Sequence, residues 1–117
     1  MMKQVVVVGA GPAGLMAAEV LSKAGCQVDI YDAMPTPGRK FLMAGRGGLN
    51  LTHSEDQALF LSRFRQTNAA KPEIPPAILL DALQQFGAAK LREWADGLGA
   101  ETFVGTSGRV FPKSMKA

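Results

Sequence analysis

The feature that most constrains this sequence is a glycine-rich turn between two short apolar runs near the N-terminus. Gln4 to Val8 is a continuous apolar run, which is typical of a strand that is buried on both faces. Pro12 to Ala24 has apolar residues at three-residue steps, which predicts a helix that stops at Gly25. Gln27 to Tyr31 is a second strand candidate. Together the three segments predict a right-handed β-α-β unit of about 30 residues.

The turn has the glycine spacing G-x-G-x-x-G, formed by Gly9, Gly11 and Gly14. In a dinucleotide-binding turn, the first glycine permits a tight bend and the second lets the backbone approach a pyrophosphate. The third lets the helix pack against the strand, and the helix N-terminus supplies free N–H groups. Asp32 follows the second strand, 23 positions after Gly9 and near the usual spacing of about 20. At that place a carboxylate accepts hydrogen bonds from a ribose.

This combination predicts a dinucleotide site. The alternative, a glycine-rich turn that only joins packed elements, accounts for Gly14 but not for an acid at Asp32. The acid disfavours a 2′-phosphate and therefore NADP, whereas the spacing does not separate FAD from NAD. The predicted cofactor contacts in this part of the chain are Gly9, Ala10, Gly11, Pro12, Ala13, Gly14, Asp32 and Ala33.

Residues 33–51 form a second glycine-rich stretch, which has little periodicity and is predicted to be a long loop. Long loops inside compact domains are usually either functional or disordered. This one contains Gly38-Arg39-Lys40, and A-G-R-G-G-L-N-L-T follows from Ala44 to Thr52. Its backbone amides and basic side chains could approach an anionic ligand. The alternative is a mobile surface loop with solvated charges.

These segments, with G-R-V-F-P at Gly108 to Pro112, resemble motifs of the NAD(P)/FAD-dependent oxidoreductases of the YhiN/BaiN type. That family includes aminoacetone oxidases, and its members have G-R-K, then S-G-x-G-R-C-N-x-T-N, then G-R-x-F-P. The resemblance favours FAD as the cofactor. The contacts that it adds are Arg39, Lys40, Gly45 and Asn50. This chain departs from the pattern at Leu49, where many members have Cys, and at His53, where many have Asn.

The resemblance implies that the chain is the FAD-binding N-terminal portion of a flavoprotein oxidoreductase acting on amines or small organic substrates. The alternative is a non-catalytic module that binds NAD or another nucleotide, or that serves as an interaction module. Family members are much longer than this chain, and a mononucleotide-binding half needs β-α-β-α-β, so we interpret the chain as an incomplete α/β domain of Rossmann type. We expect the 117-residue chain alone to bind FAD weakly or not at all and to lack enzymatic activity. We also expect self-association, because two lone parallel strands leave apolar faces uncovered.

The middle of the chain is predicted to be helical. Ser54 resembles an N-cap, with Gln57 completing a capping box, and a helix to about Gln66 follows. Lys71 to Pro76 is a Pro-rich linker. The predicted elements beyond it are helices at Pro76–Phe86 and Ala88–Gly97 and hairpin strands at Glu101–Val104 and Arg109–Phe111. We therefore divide the chain into a β-α-β unit with its loop at 1–53, a helical segment at 54–100 and a hairpin at 101–117.

The composition argues against several classes of protein. The net charge is only +3, and the basic residues are scattered without interleaved aromatic residues, so we expect no nucleic-acid partner. The run of four valines is too short for a signal peptide, which needs about 7–15 apolar residues, or for a membrane helix of about 20. Cys26 is the single cysteine, which is compatible with the cytoplasm. We predict no metal site and assign no catalytic residue. His53 could be a general base, but a loop histidine of this kind is more often a surface or capping residue.

Overall fold

The computed structural model of the protein describes residues 1–44, 47–64 and 76–117. The chain divides into two compact units, Met1–Arg46 together with Ala117, and Gly47–Lys116. The helices and strands are, in order, β1 (Gln4–Val8), α1 (Pro12–Lys23), β2 (Gln27–Tyr31), α2 (Arg39–Met43), β3 (Thr52–His53), α3 (Gln57–Ser62), α4 (Pro76–Gln85), α5 (Ala88–Gly97), β4 (Phe103–Val104) and β5 (Arg109–Phe111).

The first unit is built on the parallel pair β1 and β2, which have the bounds that the sequence predicts. Val5 pairs with Val28 and Val7 with Ile30, so these apolar residues share one face of the sheet, against which α1 packs. The opposite face carries Val6 and Val8, whose exposed fractions are 59% and 86%. The described part of the first unit therefore covers only one face of its sheet.

Helix α1 begins and ends where its sequence requires. Pro12 occupies the first helical position, where a missing N–H costs nothing and the fixed φ suits the helix. At the other end the N–H of Gly25 donates to the carbonyl of Ser22, and the N–H of Cys26 donates to that of Leu21, both at 3.0 Å. This pair of bonds is a Schellman motif, and it stops the helix one residue before the predicted end.

The loop predicted for residues 33–51 is not entirely irregular, because it contains the short helix α2. Gly38 caps this helix, and its carbonyl accepts a hydrogen bond from the N–H of Leu42 at 2.9 Å. A segment of five helical residues is too short to show the periodicity of apolar residues by which a helix is recognised in a sequence.

The second unit contains a three-stranded antiparallel sheet in the order β3-β5-β4. Val110 lies at its centre, pairs with Thr52 on one side and Val104 on the other, and is 1% exposed. The hairpin of β4 and β5 was expected, although β4 begins at Phe103 and not at Glu101, whereas β3 was not expected. Because Thr52 and His53 pair with β5, they belong to the second unit, although the sequence-based division placed them with the β-α-β unit.

Helix α3 starts with a different cap from the predicted one. The carboxylate of Asp56 accepts a hydrogen bond from the N–H of Ala58 at 3.1 Å and acts as the N-cap. The hydroxyl of Ser54 instead donates to the carbonyl of Gly108 at 3.0 Å, which ties the start of this segment to the β4–β5 turn. The helix ends at Ser62, earlier than predicted, and the greater part of the predicted linker, residues 71–75, lies outside the described residues.

Helix α5 has the predicted bounds, and α4 is one residue shorter than expected. The end of α5 is fixed to the chain that enters β4. The carboxylate of Asp96 accepts a hydrogen bond from the N–H of Thr102 at 2.7 Å, and Arg92 Nε donates to the Thr102 hydroxyl at 2.8 Å. These bonds hold the last turn of the helix beside the hairpin.

Candidate dinucleotide site

The glycine-rich turn is held against the end of β2. Gly9 has φ +102°, a left-handed conformation that side chains rarely adopt, and this allows the chain to turn directly after β1. Its N–H donates to the carbonyl of Tyr31 at 2.7 Å. The chain leaves the sheet at the carboxyl ends of two parallel strands, which is where ligands bind in open α/β sheets.

Asp32 fixes the next peptide of the turn. Its Oδ2 accepts a hydrogen bond from the N–H of Ala10 at 2.6 Å, and its Oδ1 accepts one from the N–H of Met34 at 2.8 Å. The pKa of the Asp32 carboxyl lies below its ordinary value of 3.8 because the N–H of Met34, and then that of Ala10, stabilise the ionised form. Each carboxylate oxygen has a second lone pair, so both can also accept from ribose hydroxyls.

The N-terminus of α1 opens toward free space. Gly11 is the N-cap and provides no side-chain hydrogen bond to the helix. Pro12 has no N–H, whereas the N–H groups of Ala13 and Gly14 lie in the first turn and have no acceptor within the helix. A Cβ built on Gly11 would meet no atom within 4 Å. These donors and this space fit an anionic group such as a pyrophosphate.

Gly14 lets α1 approach β1 closely. A Cβ built there would lie 1.8 Å from the carbonyl oxygen of Gly9 and 3.3 Å from Cγ1 of Val7. The predicted role of the third glycine in helix–strand packing thus has a steric basis, whereas Gly11 is constrained by no protein atom. The structure therefore gives Gly14 a packing role and leaves the space beside Gly11 free of protein atoms.

The basic residues Arg39 and Lys40 begin α2, and both are exposed. The residue before them, Gly38, donates from its N–H to the carbonyl of Ala10 at 2.7 Å. The start of α2 is therefore joined directly to the glycine-rich turn. Two positively charged residues therefore follow directly after Gly38, the residue that is hydrogen-bonded to the turn.

Two of the predicted contacts are not brought to this site by the described structure. Gly45 lies outside the described residues. Asn50 is exposed and belongs to the second unit, between Leu49, whose N–H donates to the Met115 carbonyl, and Leu51, whose N–H donates to the Val110 carbonyl. The cofactor contacts assigned to these two residues stay predictions.

Sequence reasoning missed the way in which the site is held together. The hydrogen bond from the Met34 N–H to Asp32 is an Asx-turn, which an aspartate at the start of a turn-rich stretch could have indicated. The bond from Gly38 to Ala10 joins residues far apart in the chain, and no local pattern signals it. Ala33 lies inside the Asx-turn and is exposed.

His53 is fully engaged in the second unit. Its Nδ1 accepts a hydrogen bond from the N–H of Glu55 at 3.1 Å, so Nε2 carries the proton and donates to the carbonyl of Ser107, also at 3.1 Å. The residue lines an open cavity of about 240 Å³ together with Glu55 and Arg92. Through these two hydrogen bonds His53 joins β3 to the β4–β5 turn.

Comparison with known proteins shows which family the sequence matches. Residues 3–117 match the family described as the HI0933-like protein Rossmann domain. The chain belongs to this family. The match confirms the resemblance predicted from the three motifs, and the α/β fold class with a Rossmann β-α-β unit is likewise confirmed.

This HI0933-like chain is also similar to two individual proteins, over shorter stretches than the family match. It is 53% identical over 36 residues, 31% of its length, to the Escherichia coli protein named "Putative oxidoreductase UacF". It is 44% identical over 50 residues, 43% of its length, to the "Ribosomal RNA dihydrouridine synthase" of Haemophilus influenzae. The matched segments span 6% and 12% of those two proteins.

Two other features are absent from the part of the chain that the structure describes. None of the helices in those residues has the length and hydropathy needed to cross a membrane. Within the same ranges, no three His, Cys, Asp or Glu side chains lie together in a group that could hold a metal ion.

Proposed function

We propose that this chain is the FAD-binding part of a flavoprotein oxidoreductase. The observation that supports the proposal best is the open N-terminus of α1, where Gly11 leaves free space beside unpaired amide donors. Asp32 lies at the neighbouring strand end with its carboxylate ionised and oriented by two amides. The site therefore offers donors for a pyrophosphate and acceptors for a ribose, as a dinucleotide requires.

FAD is favoured over NAD by the resemblance of the G-R-K and later motifs to a flavoprotein family. Arg39 and Lys40 add positive charge near the turn, which suits the pyrophosphate of either cofactor. When bound, FAD supplies the redox chemistry, and the residues described here bind and orient it. The site contacts of Gly9 to Gly14, Asp32 and the basic pair are part of this proposal.

The visible spectrum of the whole protein tests the cofactor. A purified protein that carries FAD absorbs blue light, and heat denaturation releases a flavin that chromatography identifies. Gly11→Val places a branched side chain in the space at the helix N-terminus and is expected to abolish retention of flavin. Gly97→Val is the matched control, because a Cβ built on Gly97 also meets nothing within 4 Å. Colourless protein that binds NAD, or no nucleotide at all, would favour the alternative of a non-catalytic module.

The substrate is proposed at the level of chemical class. Amines or small organic molecules are the first candidates, as the resemblance implies, and oxygen consumption or peroxide release with a panel of amines tests them. The relative from Haemophilus influenzae gives a second candidate, uridine in ribosomal RNA. Its conversion to dihydrouridine adds two hydrogens across one C–C double bond, a reduction that a reduced flavin can supply.

An assay for dihydrouridine tests the second candidate directly. The whole protein is incubated with ribosomal RNA and a reductant, and the nucleosides are then analysed by mass spectrometry. Dihydrouridine above the level in a protein-free control supports the second candidate, and it would also contradict the expectation that nucleic acid is not a partner.

The cytoplasmic location expected from the single cysteine stays a prediction.

A further inference from the structure

One residue of the first unit, Ala10, connects three segments of the chain through its two backbone groups. The N–H of Ala10 donates to Asp32 Oδ2 at 2.6 Å, and its carbonyl accepts from the N–H of Gly38 at 2.7 Å. Ala10 is 3% exposed, so water does not compete effectively for these bonds. The glycine-rich turn, the acid after β2 and the start of α2 are therefore held at one point.

Gly38 is suited to this place by its backbone rather than by its size. It is buried and has φ +64°, a left-handed conformation that is unfavourable for residues with a Cβ. A Cβ built there would lie 3.6 Å from Cδ1 of Leu15, which is ordinary van der Waals contact. Space therefore permits a side chain at this position, and only the backbone conformation opposes it.

The conformation of Gly38 also sets the direction of the residues that follow. Its N–H points to Ala10, while its carbonyl accepts from the N–H of Leu42 and starts α2. Arg39 and Lys40 are the first two residues of that helix. If Gly38 relaxed to a right-handed or extended conformation, its bond to Ala10 and the position of the basic pair would change together.

We propose that Gly38 is a positioning residue that holds Arg39 and Lys40 beside the phosphate-binding turn through its hydrogen bond to Ala10. The inference rests on the proposed dinucleotide function and adds a specific dependence. The basic pair contributes to affinity for a pyrophosphate-containing ligand only while the Gly38–Ala10 bond is intact. Gly38 itself does not contact the ligand.

A mutant cycle in the whole protein, with FAD as the probe, tests this dependence. We compare Gly38→Ala, the double substitution Arg39→Gln with Lys40→Gln, and the combination of all three. Gly38→Ala is expected to weaken FAD binding about three- to tenfold, because strain in the left-handed region is relieved by moving the start of α2. Residues that act through one another are non-additive, so the triple variant should bind no more weakly than the double.

The matched control is Gly25→Ala. Gly25 has φ +84°, so the backbone strain is similar, but it follows the far end of α1 and a Cβ there meets nothing within 4 Å. This variant should bind FAD within about twofold of wild type, since it leaves the Ala10 contact unchanged. A second readout is the salt dependence of FAD affinity, which should be flatter in Gly38→Ala, as in the double variant, because fewer charge contacts remain to be screened.

The outcomes separate this inference from the function on which it rests. Wild-type protein that binds no dinucleotide would overturn both. Wild-type binding with additive losses in the cycle, or an unchanged salt dependence in Gly38→Ala, would overturn this inference alone. If Gly38→Ala does not fold, the cycle is repeated with Gly38→Asn, because asparagine tolerates the left-handed region better. Its smaller loss should likewise disappear when the basic pair is absent, and persistence of that loss would count against the proposal.

Discussion

Replacing Gly14 by alanine should destabilise the first unit, although alanine is the better helix former. The added Cβ would lie 1.8 Å from the carbonyl oxygen of Gly9, and the two atoms must separate by about 1.6 Å to reach ordinary contact at 3.4 Å. The obstructing atom belongs to the backbone, so no side-chain rotation relieves the clash. Either α1 moves away from β1 or the turn deforms, and the bond from the Gly9 N–H to Tyr31 weakens in the second case.

The net effect can be worked from two opposing contributions. Overpacking costs about 1–3 kcal/mol, and a clash with fixed backbone belongs at the upper end of this range. Alanine in place of glycine recovers at most about 1 kcal/mol of helix propensity. A net loss of about 2 kcal/mol would lower Tm by roughly 8 °C, at about 4 °C per kcal/mol for a chain slightly longer than 100 residues. Calorimetry or thermal unfolding followed by circular dichroism measures the shift.

Gly11→Ala is the control, because a Cβ there meets no protein atom and φ is −81°, which alanine adopts easily. We expect its Tm to fall much less than that of Gly14→Ala, by the small loss that comes from a poorer N-cap, while its affinity for FAD falls. Gly14→Ala with an unchanged or raised Tm would refute the steric argument. Gly11→Ala with unchanged FAD affinity would show that the space above the helix is not used by the cofactor.

Three further predictions concern other residues. In Asp32→Asn the single acceptor oxygen cannot replace both carboxylate contacts, so the variant should have a lower Tm than wild type at neutral pH. Folding lowers the pKa of Asp32, so the ionised carboxylate stabilises the fold above the ordinary pKa of 3.8, and this stabilisation is lost as the pH falls through the lower folded pKa. The difference in Tm between the variant and wild type should therefore shrink in acid. His53→Ala removes the bonds to Ser107 and Glu55 and should cost about 1–2 kcal/mol, and an unchanged Tm would show that they contribute nothing. The 117-residue chain should self-associate through the exposed sheet face, and Val8→Thr should reduce the mass measured by light scattering; a monomeric wild type would contradict this.

The parts of the fold that the sequence predicted well are those determined by local pattern. β1 has an unbroken run of four valines, and β2 has apolar residues at Val28, Ile30 and Tyr31. α1 has a proline at its start and a glycine just after its end. The two-residue strand β3 was missed because it exists only by pairing with β5, more than 50 positions later. The cap of α3 was misassigned because Ser54 and Asp56 both suit that role locally, and the Ser54 hydroxyl is used by the Gly108 carbonyl instead.

In the candidate site, too, the features set by a local sequence motif were predicted, and the contacts between residues far apart in the sequence were not. The glycine spacing and the distance to Asp32 predicted which residues gather at the strand ends, because that motif is a fixed length of chain. The bond from Gly38 to Ala10 depends on where the loop after β2 folds back, and neither residue type indicates it. Departures from the family pattern at Leu49 and His53 also fall in the second unit, where Leu49 is buried and His53 is hydrogen-bonded.

The exposed face of the β1–β2 sheet has a thermal consequence. Val6, Val8 and Tyr31 lie on that face, and all three are more than half exposed. Any contact that covers them is driven by release of water from apolar surface, which weakens on cooling. Contacts through this face should therefore loosen in the cold and tighten on warming, up to the temperature at which the unit itself unfolds. A preparation that is monodisperse at low temperature and scatters more light when warmed reversibly would show this behaviour.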